Sequence, residues 1–246
     1  MEQNRFPTPQ TGQVIYGPDV TNTNVRTFVA SVFSYMTMAL VISGVMAWWF
    51  GNNMELFGTL RDLSTGKPTM LGWVVMFAPL ALVFVMGGLV EKLSGTVLLL
   101  VFIAYSALTG MSLSYIFVVY DLTAIIRTFF ISSAVFGIMA VAGYTTRTDL
   151  TKLGNILFVG LIGILLASLV NIFWPNGTMS WLISVIGVIV FTGLTAYDMQ
   201  KIKRMGEVVA NGTETAQKMA LMGALSLYLD FINLFLMLLR LMGSRK

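Results

Sequence analysis

The chain has 246 residues, 57% of them hydrophobic and 11% charged, with a mean hydropathy of +0.82 and a net charge of +4. An average soluble domain is about 25% charged, so this composition excludes a soluble globule and places the chain in a lipid bilayer as an integral membrane protein. It holds neither cysteine nor histidine, which excludes disulfides, thiolate chemistry, imidazole-dependent triads and His-ligated zinc or haem. Residues 1–25 read as a polar tail with Pro7, Pro9 and Pro18 and without the apolar run of a signal peptide. Residues 26–246 read as one transmembrane domain.

A spanning helix needs about 20 mostly apolar residues. Seven segments qualify, near 27–50, 70–90, 97–119, 125–144, 154–174, 181–201 and 219–240. The expected fold is all-α, a seven-transmembrane-helix bundle. Turn and charge signals separate the segments: Gly51-Asn52-Asn53, Thr65-Gly66-Lys67-Pro68, Glu91-Lys92-Leu93-Ser94-Gly95, Tyr120-Asp121, the stretch 145–149 and Pro175-Asn176-Gly177. Three small-residue pairs, Ser106/Gly110, Ser133/Gly137 and Gly163/Ala167, have the spacing that lets helix backbones approach closely. Trp48, Trp49, Trp73, Trp174 and Trp181 fall near segment ends, where interfacial anchors belong.

The basic residues lie between apolar segments and form no single patch, so they indicate orientation and no nucleic-acid partner. Arg5, Arg26, Lys92, Arg147, Lys152, Lys201, Lys203, Arg204 and Lys218 fall on the N-terminal side, nine in all, against six on the other. The bias favours a cytoplasmic N-terminus. The C-terminal residues are themselves basic, so a re-entrant seventh segment, which would sharpen the bias, stands as an alternative to a seventh crossing.

Two carboxyl groups interrupt the last two segments. Asp198 lies near the end of the sixth and Asp230 in the middle of the seventh. A charge at mid-bilayer costs about 2.5–3.5 kcal/mol on insertion scales, so such residues normally face the protein interior. Helical spacing puts Gly223, Ser226, Asp230 and Asn233 on one stripe, and Ser184, Gly187, Thr195 and Asp198 on another, with Thr192 close by. The two stripes are expected to face each other or a shared cavity. If the carboxyls meet, repulsion and desolvation oppose charging both, and one proton is shared. A protonated pair can hydrogen-bond and hold two helices together. A deprotonated pair repels or recruits a cation, and Asp198, Asp230 and Asn233 with backbone carbonyls form an oxygen set suited to Ca²⁺. The competing reading is an aspartate neutralised by Lys201, one turn after Asp198. Asn171, near the end of the fifth segment, either satisfies a backbone group or lines the same pathway.

The stretches 191–203, containing Tyr197-Asp198-Met199-Gln200, and 224–240, containing Leu227-Tyr228-Leu229-Asp230-Phe231-Ile232-Asn233-Leu234-Phe235, resemble the signatures of the Bax inhibitor-1 family. Residues 105–113 resemble its third helix and residues 143–150 its fourth-to-fifth loop. The missing cysteines and short tail are most similar to bacterial inner-membrane members. The resemblance implies a seven-helix fold with the last helix central, and a pH-sensitive pair at Asp198 and Asp230. It further implies a proton-regulated Ca²⁺ leak pathway. Ser226, Asn233 and Thr195 of the two stripes, with Asn171, are the candidate lining residues, and no cofactor other than the passing ion is expected. It implies as an alternative a non-catalytic regulator that binds a membrane-embedded ATP-dependent protease. Relatives can place an arginine near the end of the second helix as a latch. Segment 70–90 has no arginine, and Lys92, or Lys201 on the sixth segment, is left as the charge partner. An intramembrane aspartyl protease is a third reading, opposed by the bulky Leu227-Tyr228-Leu229 before Asp230.

Overall fold

The computed structural model describes residues 18–244 and 246. The tail expected over 1–25 falls outside the described residues up to position 17. Nine helices make up the described part: α1 (Pro18–Asn52), α2 (Met54–Leu60), α3 (Met70–Leu89), α4 (Gly95–Leu113), α5 (Tyr115–Val119), α6 (Leu122–Thr145), α7 (Thr151–Phe173), α8 (Gly177–Val208) and α9 (Glu214–Met242). Seven spans are long and apolar enough to cross a membrane, with α4 and α5 together forming one of them, Gly95–Val119. Asn53, Thr69, Ser94, Asn176 and Thr213 start their helices by accepting backbone N–H groups of the first turn.

The last helix is the centre of the bundle. It packs against α1, α4, α6 and α8, whereas α3 rests on α4 with the short α2 and α7 rests on α8. The most apolar window of α9 is 61% buried, against 11% for α3 and α7. Phe28, Phe102, Leu221, Leu227, Tyr228 and Leu234 are among the fully buried side chains at this centre.

Close crossings occur where a side chain would not fit. A Cβ on Gly110 of α4 would strike the backbone of Ser43 on α1, and one on Gly143 of α6 would strike the backbone of Ala196 on α8. Of the three small-residue pairs, Ser106/Gly110 marks such a crossing. Gly137 and Gly163 face open space instead.

The expected spans shift in three places. The third breaks at Ser114, between α4 and α5. The first loop contains the extra helix α2, capped by Asn53. The sixth span continues to Val208 and the seventh begins at Glu214, because the polar residues there are helix formers that hydropathy alone does not register. At about 1.5 Å per residue, the 32 residues of α8 outreach a hydrocarbon core of about 30 Å, so the helix projects beyond it.

The ends of the helices show that the seventh span runs from one end of the bundle to the other. The start of α9 joins the α3–α4 turn, where the Gly95 N–H donates to Glu214 at 3.1 Å. Its far end joins the α5–α6 junction, where Asp121 N–H donates to Ser244 O at 3.2 Å and Lys246 N–H to Val119 O at 3.0 Å.

Candidate functional site

The two polar stripes meet along the α8–α9 contact. Gly223 of α9 lies against Ile202 of α8, and Gly187 of α8 lies against Met237 of α9. Ser184 and Thr195 are fully buried. Between these contacts the Asp198 and Asp230 carboxyls come within hydrogen-bonding reach of each other. Asp230 is 4% exposed, and its Oδ2 has no hydrogen-bond partner among the described residues. Asp198 is half-buried, and the positive charge of Lys201 is near enough to act on it.

The other sequence-derived candidates divide into two groups. Ser226 and Asn233 are half-buried on the same side of α9 as Asp230. Asn233 Nδ2 donates to Leu229 O at 2.8 Å, which leaves its carbonyl oxygen free to accept. Thr195 Oγ1 donates to Phe191 O at 2.8 Å. Thr192 Oγ1 is buried without a partner. Two candidates are not brought to the pair. Asn171 closes the α7–α8 turn, donating to Ser180 Oγ at 2.7 Å and accepting the Asn176 N–H at 2.9 Å. Lys92 is exposed in the α3–α4 turn. Among the described residues no group of three or more His, Cys, Asp or Glu could hold a metal ion.

The sequence reading missed what Gln200 does, although it sits two residues after Asp198. Its Nε2 donates to Thr148 O at 2.8 Å and its Oε1 accepts the Leu150 N–H at 2.9 Å. Arg204, one turn on, donates to Asp149 at 2.8 Å and to Gln200 Oε1 at 3.2 Å. Lys203 Nζ donates to Tyr144 O at 3.0 Å. Gly154 admits the ring of Tyr197. The segment around Asp198 is thereby clamped to the α6–α7 loop. The two stretches read above as separate motifs, 191–203 and 143–150, are two halves of one contact. A Gln followed by Lys201, Lys203 and Arg204 where the apolar run of α8 ends is the sequence signal for it.

A family model described as "Inhibitor of apoptosis-promoting Bax1" matches residues 25–246. The chain belongs to the Bax inhibitor-1 family. It is a multi-pass membrane protein by its seven spans. It is 46% identical to "Inner membrane protein YbhL" of Escherichia coli strain K12 over 223 residues, covering 90% of this chain and 93% of that one. It is 44% identical to "Uncharacterized protein RP147" of Rickettsia prowazekii over 225 residues, covering 90% and 91%. An "Uncharacterized protein" of Borreliella burgdorferi is 43% identical over 219 residues, covering 89% and 92%. These names carry no catalytic activity.

Proposed function

We propose that this chain is a calcium leak channel of a bacterial inner membrane, gated by protonation of Asp198 and Asp230, and that it is not an enzyme. The carrying observation is the pair itself: two carboxyls from adjacent central helices within hydrogen-bonding reach, one of them 4% exposed with an unpartnered oxygen. With one proton between them the carboxyls hydrogen-bond and hold α8 against α9. Without it two like charges face each other, and separation or a divalent cation relieves the repulsion. The Asn233 carbonyl, Ser226 hydroxyl and Lys201 ammonium are the nearby groups that would line the path or set its charge. The inner-membrane placement follows the name of the Escherichia coli relative, and the N-terminus is taken as cytoplasmic from the distribution of basic residues. A protease reading is disfavoured because Leu227 and Tyr228 are completely buried beside Asp230, which leaves no space there for a substrate strand.

The test is Ca²⁺ flux into liposomes across pH. The native chain should show pH-dependent flux, and Asp198→Asn and Asp230→Asn should each lose that dependence. Absence of flux at every pH, or an unchanged pH profile in both variants, would overturn the proposal. Cleavage of a transmembrane peptide that depends on either aspartate would replace it with the protease reading.

A further inference from the structure

Both α1 and α6 pack on α8 and α9 but scarcely on each other. The gap between them at the N-terminal end of α1 is a groove of about 540 Å³. Its walls are Phe33 and its neighbours on α1 and Gly137 with Ala140 on α6, and its floor is Met199 of α8. Arg26 of α1 and Tyr144 of α6 stand at its mouth. Lys203 lies 5.1 Å above the Tyr144 ring. Neither Arg26 nor Lys203 forms an ion pair with an acid among the described residues. An apolar groove floored by a core side chain, with Arg26 at its mouth and Lys203 beside it on Tyr144, matches one class of ligand. That class has a hydrocarbon chain and an anionic head. Basic pockets between transmembrane helices take lipid head groups in this way.

We propose that this groove binds one anionic glycerophospholipid from the leaflet at the N-terminal end of α1. Its acyl chain lies between α1 and α6, reaching Met199, and its phosphate lies at Arg26 and Lys203. Bulk lipid would cover the outer faces of these helices without preference. The groove differs because it reaches a side chain only 1% exposed and because its charge selects the head group. The site is independent of the ion pathway, since Asp198 faces α9 while Met199 faces the groove.

The test is lipid retention by the purified full chain in detergent micelles doped with dioleoyl phosphatidylglycerol or dioleoyl phosphatidylcholine, read by native mass spectrometry. The native chain should retain one phosphatidylglycerol in preference to phosphatidylcholine. Arg26→Gln and Lys203→Gln should each weaken that retention about fivefold, and Arg26→Lys should preserve it. Gly137→Leu should abolish it by filling the channel. A Cβ at Gly137 meets nothing within 4 Å, so the bundle itself is spared, and the charge variants at exposed Arg26 and half-buried Lys203 test the site even if that variant misfolds. Equal retention of the two lipids by the native chain, or phosphatidylglycerol retention unchanged in Arg26→Gln/Lys203→Gln, would overturn the proposal.

Discussion

Tyr228 of α9 donates its hydroxyl proton to Ser43 of α1, 2.6 Å away at the centre of the bundle. The direction follows from the number of protons available. The single Ser43 proton goes to Ser106 O of α4 at 2.7 Å, and a carbonyl only accepts. Tyr228 also packs edge-on against Tyr105 at 5.4 Å and Phe102 at 6.3 Å. One relay therefore joins three helices two residues before Asp230. Tyr228→Phe keeps the ring and removes the relay. It should lower unfolding stability by about 0.6–1.7 kcal/mol, the range for interhelical hydrogen bonds in membranes, measured by unfolding in mixed micelles. An unchanged stability would show that the hydroxyl contributes nothing to the junction.

Gln200 offers a second test. Gln200→Glu can still accept the Leu150 N–H but cannot donate to Thr148 O, whereas Gln200→Ala loses both bonds. At about 1 kcal/mol per hydrogen bond, amide exchange at Leu150 should accelerate more in Gln200→Ala than in Gln200→Glu. Equal exchange in the two would remove the clamp from the account.

The α6–α7 loop also has a defined acid response. The Thr151 hydroxyl and amide, aided by Arg204, hold the Asp149 carboxyl down at about 2. The Ser64 hydroxyl and the Ser64 and Thr65 amides do the same for Asp62, also at about 2. An unfolded aspartate titrates near 3.9. Because the folded value is lower, each carboxylate contributes local stability above pH 4 or so, which is lost as pH falls through about 2. Carboxyl-carbon titration by NMR should give both low values, and Arg204→Gln should raise that of Asp149 alone. Neither Asp149 nor Asp62 titrates between about pH 5 and 8, so a change of flux in that range must arise elsewhere in the chain.

Two glycines of α6 should respond oppositely to the same substitution. Gly143→Ala places a methyl against the Ala196 backbone and should destabilise by about 1–3 kcal/mol, the range for overpacking. Gly137→Ala points into open space and should stabilise by up to about 1 kcal/mol through helix propensity. Thermal unfolding of the two variants side by side decides this.

Much of the architecture was legible because hydropathy and helical spacing report local environment. The seven spans, the tryptophans near their ends and the two polar stripes all follow from positions a few residues apart. Which helices are peripheral was not legible. The α3 and α7 segments are as apolar as any in the chain, since lipid and protein interior make the same demand on a side chain. Partner choice was hidden for the same reason. Asn171 has the composition of a pathway residue, yet its amide is committed to the α7–α8 turn. Ser43 looks like any helical serine until Tyr228 is set beside it. The break at Ser114 and the helix α2 lie in short stretches with too few residues for periodicity to speak.

The central place of α9 also governs how the molecule is made. Ser43 and Tyr228 are separated by 185 positions. At a synthesis rate of about 5–20 residues per second, that separation corresponds to about 10–40 s. During that interval the earlier spans reside in the membrane with their inner surfaces unmatched, because the helix they surround does not yet exist. Assembly of the bundle is therefore a late event, completed when the final span enters among those already inserted.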